Sequence, residues 1–522
     1  MNIKSMHDEL ESKGWLPDQI KADFGVSDVS QYRTERVLCL MPRSKNQLQD
    51  VLNLASLNGL PIYPYSLGNN WAFGGRIPFH SGAMLIDLSG LNAIEDYDEE
   101  FGTIRVEPGV SQGQLSDYLL ARKSAFFLDV TGSGRETSVL GNTLERGIAY
   151  NSLRADSLMA MEVMLPDGSI INTGFSGKSE CHVKDSYGFG LGPDLRGLFL
   201  QSNYGIVLSV VLKLKKVQTN VLSFQVGVPE SKVGALVDVL ADLMNEGILT
   251  CIPHIGDPLR VRSTMEPILR KLSGVKENDV QYVLKKLKLL DLSVPFWSCL
   301  GSIQGPKELV AAKKSILQKK LAPLGSVRFV SEKSVSFMTR FFNWGPFRPI
   351  VQFYVATESL RGLVQGRSTS DALHMLTWNP GEFSLRKEVH SEVFERSTYG
   401  VIFSVPLTKM NHHCAQNLIS LARSFSVEND IILGMTLNAL TSSVLEAVIS
   451  FHFDPVSPRV AEIQSLFIQF NRMLISKGMY PYRMNPDLMK YCWDVLPHKQ
   501  LSSKLKAALD PKNIVSPDHY VK

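Results

Sequence analysis

No two of the six cysteines (Cys39, Cys181, Cys251, Cys299, Cys414, Cys492) stand at CxxC spacing, so neither a zinc knuckle nor a disulfide framework is indicated. The eleven histidines lack paired ligand spacing, which leaves no metal constellation. Long apolar runs are missing as well. No window approaches the ~18 consecutive apolar residues that a membrane-crossing helix needs, and the stretch from Met1 to Gly14 has no apolar centre of the kind a secretory signal requires. Nor is there an excess of charge of one sign: Lys and Arg outnumber Asp and Glu by 55 to 51, a net of +4. That is too small and too dispersed to favour nucleic acid or a membrane surface. These absences predict a cytoplasmic, reduced protein with no nucleic-acid, membrane or metal partner.

What remains is a globular chain of 522 residues, 44% hydrophobic and 20% charged, too long for one ordinary core. Met6–Leu16 is amphipathic and predicts a helical arm followed by a polar connector. From Arg36 the pattern alternates: a strand at Arg36–Met41, a helix at Ser44–Asn58 with Ser44 placed to cap it, and a strand at Leu60–Tyr65. Further strands are predicted at Met84–Leu88, Thr103–Val106, Met159–Met164, Ile170–Thr173 and Ile206–Leu214, with a helix at Ser111–Ala121. Pro166-Asp167-Gly168 reads as a hairpin turn. Beyond residue 217 the helical stretches lengthen (Val233–Asn245, Pro306–Leu321) between strands at Val351–Val355, Gly400–Val405 and Val448–Phe453. Tyr482–Lys522 is predicted helical to Leu509, then extended. The division is an arm at 1–34, an α+β domain at 35–217, a second domain with an antiparallel sheet at 218–475, and a C-terminal segment at 476–522.

Three stretches carry candidate chemistry. Ser66-Leu67-Gly68-Asn69-Asn70-Trp71-Ala72-Phe73-Gly74-Gly75 follows a strand directly, and such loops can turn successive N–H groups towards a phosphate. An ordinary tight turn has the same look. The GxGxxG order of the nicotinamide-binding folds is absent. In Ser138–Tyr150, small residues at Ser138, Gly141 and Gly147 permit close backbone approach. Gln201-Ser202-Asn203-Tyr204-Gly205-Ile206-Val207 is small and polar just before a buried strand.

Taken in order, Ser66–Gly75, Val106-Glu107-Pro108-Gly109-Val110, Ser138–Tyr150, and Tyr187-Gly188-Phe189-Gly190 through Val207 resemble the FAD-binding domain of the vanillyl-alcohol oxidase / p-cresol methylhydroxylase (PCMH) family. The likeness returns in Tyr480-Pro481-Tyr482-Arg483 and in Asp510-Pro511-Lys512-Asn513-Ile514-Val515-Ser516-Pro517. The resemblance implies an α+β, two-domain FAD-binding PCMH-type fold with an antiparallel-sheet cap domain. It implies FAD in contact with Ser66, Leu67, Gly68, Asn69, Asn70, Gly74, Gly75, Pro108, Ser138, Gly141, Asn142, Glu145, Arg146, Gly147, Gly205, Ile206, Val207 and Asn513. Arg483 matches the family's cation beside the flavin, and Tyr482 and Tyr150 match hydroxyls that bind a phenolic oxygen. The implied activity is an FAD-dependent oxidase or dehydrogenase, taking hydride from a phenolic benzylic carbon or an alcohol. Its electron acceptor would be O2 or a redox protein, and a homodimer is among the assemblies implied.

The sequence departs from the family at three places. Phe73 stands where phenol-oxidising members carry Tyr. Gly132 or Ser133 stands where members with an acid/base carboxylate carry Asp, leaving Glu136 as the nearest substitute. The positions that link FAD covalently in the family fall on Leu445-Glu446-Ala447 and near Ile431, so non-covalent FAD is expected. The first two departures leave open a sugar, hydroxy acid or biosynthetic intermediate as substrate, and the missing carboxylate and linking residues leave open a flavin-binding scaffold without turnover.

Overall fold

The computed structural model describes residues 3–25, 29–32, 37–80, 82–271, 276–288, 296–376 and 400–522. The first sheet is mixed. β1 (Ile20–Phe24) runs antiparallel to β2 (Val37–Leu40), which is parallel to β4 (Met84–Asp87), itself parallel to β3 (Ile62–Tyr65). Helix α1 (Ile3–Ser12) and helix α2 (Lys45–Asn58) cover this sheet. α2 begins where Ser44 accepts the Gln47 N–H and ends at Gly59, whose φ of 61° is the left-handed turn that glycine makes cheaply. Its buried stripe of Leu48, Val51, Leu52 and Ala55 has the spacing of a single helix face. The first residue of the strand predicted from Arg36 lies outside the described residues.

A second sheet is wholly antiparallel, in the order β5 (Ile94–Asp98), β6 (Thr103–Val106), β10 (Ile206–Lys213), β8 (Leu158–Met164), β9 (Ile170–Asn172). The β8–β9 hairpin closes at Gly168, at φ 85°, as its turn residues predict. β10 is buried along almost its whole length because both faces are covered. Ile206 and Leu208 join the core of the first sheet, whereas Val207, Val210 and Leu212 join α3 (Gln112–Ala121) and α4 (Val139–Leu144). A short ribbon pairs β7 (Phe126–Phe127) with β11 (Lys215–Lys216).

The cap is a third, antiparallel sheet. Its order is β15 (Ser326–Val330), β12 (Asn220–Pro229), β14 (Phe296–Gly305), β13 (His254–Gly256), β18 (Ile432–Ala439), β19 (Val444–Phe453), β16 (Gly400–Ser404), with β17 (Leu407–Lys409) also on β19. Side chains alternate across a strand, and here the alternation divides the cap into two faces. Leu433, Met435 and Leu437, with Leu445, Ala447 and Ile449, pack beneath α5 (Val233–Asn245) and helices His412–Glu428 and Val460–Ser476. The intervening Thr436, Asn438, Glu446 and Val448 turn the other way, towards the FAD-domain loops.

Two predicted elements are corrected. The stretch predicted helical from Tyr482 to Leu509 is broken into Pro486–Cys492, a short turn at Trp493–Val495 and Lys499–Leu509, where Asn485 caps the first piece and Pro486 opens it. Val351–Val355, read as a strand from its apolar run, lies within a helix, Arg348–Ala356. Pro349 sits in its first turn, where no intrahelical N–H is needed. Phe353 and Ala356, three apart, then face Met265 and Leu269 of α6 (Pro258–Lys271) and Val283 and Leu284 of helix Glu277–Lys286. Short apolar runs fit either period until such a partner decides. The predicted N-terminal connector likewise contains β1. At the other end, the tail after helix Lys499–Leu509 returns to β3, with Ile514 and Ser516 bonding both main-chain groups of Ile62 at 2.8 Å each. Among the described residues no helix is long and apolar enough to cross a membrane.

Candidate active site

The Ser66–Gly75 loop leaves the end of β3 and doubles back sharply. Gly68 and Gly74 have φ of 71° and 97°, a region costly for other residues. Asn69 donates to the Glu136 carbonyl at 2.9 Å, and Trp71 donates to the Ser133 carbonyl at 3.2 Å. Ser138 fixes α4 from two sides: its Oγ accepts the Gly141 N–H at 3.0 Å and donates to the Pro108 carbonyl at 2.7 Å. A Cβ on Gly141 would stand 2.4 Å from Ser66 Oγ, so loop and helix touch through a glycine.

Between these loops and the cap sheet lies a cavity of about 930 Å³. Its wall brings together Ser66, Gly68, Asn69, Asn70 and Gly75 from the first loop, and Pro108, Ser138, Gly141, Asn142, Glu145 and Gly147 around α4. Gly205, Ile206 and Val207 add the start of β10, and Tyr150, Tyr482 and Arg483 complete the predicted set. Five predicted positions stand outside this wall. Gly74 backs onto the Pro486 ring. Leu67 belongs to the same loop. Arg146, at φ 52°, and Asn513, at φ 49°, take left-handed conformations that end helical turns. Glu136, expected as a stand-in carboxylate, meets the loop through its carbonyl.

Arg483, from the C-terminal segment, reaches into the FAD-domain loops. Its guanidinium donates to Asn70 Oδ1, lies 3.6 Å from Glu145 Oε2 and sits 4.4 Å over the Phe73 ring. Tyr520 donates to the same Glu145 oxygen at 2.8 Å. Tyr482 is next to Arg483, and burial pushes its phenol well above the usual range. Tyr150 is pushed up to about 12 by burial, against the pull of Arg260. A Cβ on Gly132 would lie 3.3 Å from the Tyr150 hydroxyl. That hydroxyl therefore fills the space a side chain at 132 would enter.

The cap contributes a row of polar side chains that sequence reasoning missed. His254 on β13, Asn438 on β18 and Glu446 on β19 are direct cross-strand neighbours. Asn438 donates to Glu446 Oε2 at 2.6 Å and presents its Oδ1 to His254 Nδ1, also at 2.6 Å. A carbonyl oxygen only accepts, so Nδ1 carries the imidazole proton and Nε2 is bare. Burial keeps His254 neutral by lowering its pKa. Burial raises Glu446 to about 8, opposed by Asn438, Arg260 and Arg483. The one sequence signal was polar residues at alternate places in apolar strands: Thr436 and Asn438, then Glu446.

The donor set fits a flavin dinucleotide. Gly68 and Gly141 form a cradle that added Cβ atoms would fill, against Arg76 Nε and Ser66 Oγ. Asn142 Oδ1 and Arg483 Nε are buried at this wall without a hydrogen-bond partner among the described residues. Fold and cavity together define a two-part FAD-binding flavoprotein.

The comparisons agree. Residues 38–174 match the model of the FAD binding domain. The 1'-carboxy-chondrochloren decarboxylase of Chondromyces crocatus is 26% identical over 513 residues, covering 93% of this chain and 91% of that protein. The flavoprotein subunit of 4-cresol dehydrogenase (hydroxylating) from Pseudomonas putida is 26% identical over 290 residues, 55% of this chain and 56% of that one. The crystal structure of p-cresol methylhydroxylase with substrate bound superposes with a TM-score of 0.78 at 20% identity, over 98% of this chain and 93% of that one. 4-Ethylphenol oxidase from Gulosibacter chungangensis gives 0.82 at 18%, over 100% and 98%. The chain thus carries an FAD binding domain, shares its fold with p-cresol methylhydroxylase and 4-ethylphenol oxidase, and is an FAD-dependent oxidoreductase.

Proposed function

We propose that the protein removes hydride from a benzylic or alcohol carbon of a small organic molecule held between the FAD-domain loops and the cap sheet. Bound FAD supplies the two-electron acceptor. The observation that carries the reading is the position of Arg483, which lines the cavity beside the Ser66–Gly75 loop with its Nε lacking a hydrogen-bond partner among the described residues. A fixed cation stabilises negative charge arriving with the hydride, and it does so more strongly in an enclosed site than in water. Tyr482 and Tyr150 stay protonated at neutral pH and offer O–H donors to a phenolic or alcoholic oxygen. His254 Nε2, left bare by the Asn438 contact, accepts a proton from a substrate hydroxyl or an attacking water.

In this reading the Ser66–Gly75 loop, with Ser138, Gly141 and Asn142, holds the dinucleotide, and the flavin is not covalently linked, since Leu445-Glu446-Ala447 and Ile431 offer no linking His or Tyr. The test mixes purified holoprotein with 4-ethylphenol or 4-hydroxybenzyl alcohol without oxygen and follows the yellow absorbance. Bleaching, with colour released to the supernatant by acid precipitation, supports the reading. A flavin that neither substrate reduces overturns the phenolic substrate. Colour left in the pellet overturns the non-covalent linkage, and His254 becomes the residue to examine.

A second reading is favoured by the decarboxylase relative, because that likeness spans nearly the whole of both chains. Once a phenol has given up its O–H proton, hydride loss from the benzylic carbon of the phenolate gives a p-quinone methide. If the adjacent carbon bears a carboxylate, the C–C bond to it breaks and CO2 leaves. The bond's electron pair forms the side-chain double bond and restores the ring to a phenolate. The same arrangement of residues serves this oxidative decarboxylation. Release of CO2 in step with flavin bleaching distinguishes it from simple dehydrogenation.

A further inference from the structure

Arg260 stands in the first turn of α6 with its guanidinium in the cavity wall. Its Nε donates to Thr436 Oγ1 at 3.1 Å, whereas Nη1 is buried with no hydrogen-bond partner among the described residues. A buried guanidinium nitrogen left unpaired is costly. Asp257, the nearest carboxylate in sequence, faces Arg260 but makes no side-chain hydrogen bond to its guanidinium. One oxygen of Asp257 accepts the backbone N–H of Arg260 at 2.8 Å, and the other faces Arg423 at 3.5 Å.

Arg260 and Arg483 line the same cavity, joined by a chain of rings. Arg260 lies 5.7 Å from the Phe403 ring centre, Phe403 packs on Phe73 at 5.8 Å, and Arg483 lies 4.4 Å over Phe73. The two guanidiniums thus flank a pair of rings that meet edge-on, at 64°, in the wall of the cavity, and an aryl substrate can pack between the cations. In the proposed reading Tyr482, next to Arg483, takes the substrate's oxygen, which leaves Arg260 free to meet a second, anionic group.

We propose that Arg260 anchors a carboxylate of the substrate, so that this enzyme takes aryl acids in preference to uncharged alkylphenols. The proposal rests on the hydride-transfer reading only in calling the bound acid a substrate. A guanidinium fixed by Thr436 presents planar donors that match a carboxylate, and charge-assisted hydrogen bonds of this kind are the strong ones.

The ionisable groups that face Arg260 are Asp257, Glu446, Tyr150 and His452. Between about pH 7 and pH 9, Asp257 (about 6) is ionised, His452 (about 3) is neutral and Tyr150 (about 12) is protonated. Glu446, at about 8, is the group whose charge changes in that window, and once ionised it competes for Arg260.

The experiment is calorimetric titration of FAD-loaded protein with 3-(4-hydroxyphenyl)propanoate and, separately, with its uncharged amide. The acid is expected to bind about 10- to 100-fold more tightly than the amide at neutral pH, with the advantage shrinking as pH rises through about 8. Arg260→Gln removes the preference while leaving amide affinity in place, and Glu446→Gln removes its pH dependence. Equal binding of acid and amide by the unmodified protein overturns the proposal without any variant, as does an Arg260→Gln protein that keeps the preference. Binding heat does not depend on turnover. Intact acid selectivity in a protein whose flavin is never reduced would therefore sink the proposed reaction and leave the anchor standing.

Discussion

Asn438 donates to Glu446 Oε2 at 2.6 Å across two adjacent cap strands, leaving Oε1 buried without a partner among the described residues. A carboxyl in that position is more comfortable protonated, because burial penalises the ion and one amide cannot replace its hydration. The native fold therefore holds the proton more tightly than the unfolded chain does. The stability Glu446 contributes is full below the ordinary carboxyl value of 4.5 and is lost as pH rises to about 8. Thermal melts taken from pH 6 to pH 9 should show the unmodified protein losing stability and Glu446→Gln much flatter. Parallel curves for the two proteins would reject the assignment.

Arg483→Ala should slow anaerobic flavin reduction by a saturating substrate about 10²- to 10³-fold, the usual loss when one preorganised charge-stabilising group is removed. Arg483→Lys should recover part of the rate, since charge returns without the contact to Asn70. Stopped-flow absorbance reads both. Reduction at the unmodified rate in Arg483→Ala would remove the residue from the chemistry.

Lys506 and Asp510 are buried to 3% and 2% exposure. Nζ donates to Asp510 Oδ2 at 2.7 Å and to the carbonyls of Asn203 and Val515 at 2.9 and 2.8 Å, while Asp510 accepts the N–H groups of Ile514 and Val515. Lys506→Ala leaves a buried carboxylate uncompensated and should cost about 3–5 kcal/mol of stability, measurable by urea unfolding. Because the same lysine holds the tail that reaches β3, flavin should also dissociate faster from the variant.

Gly141→Ala should weaken flavin retention with little change in the melting of the apoprotein, since the added methyl presses on Ser66 Oγ in the loop rather than on core backbone. Adding Ser66→Ala removes the atom in the way and should restore part of the affinity. Equilibrium dialysis against free FAD decides the matter, and unaltered retention in Gly141→Ala would show that the cradle is looser than its contacts imply.

Local signals carried most of the FAD domain. Ser44 caps α2 where its place in the sequence predicts, and the β-branched run Ile206–Leu214 fits the buried strand that β10 forms. Non-local adjacency was out of reach. His254, Asn438 and Glu446 come from three strands whose neighbourhood is set by sheet order, so each looked like an isolated polar residue in an apolar stretch. Helix Arg348–Ala356 was missed for a related reason: its period is decided by partners on α6 that follow from no property of the run itself. β1, short and with a polar register, acquires its strand character only beside β2.

Val515, Ser516 and His519 line the same cavity as Gly68 and Asn69, and Val515 pairs with Ile62 on the strand that feeds the loop. On the ribosome, the earlier half of this wall emerges long before the later half has been translated. Any flavin captured in the interval sits in an unfinished pocket. Full retention must wait until residue 519 has cleared the exit tunnel, which makes cofactor loading a late event in the life of each chain.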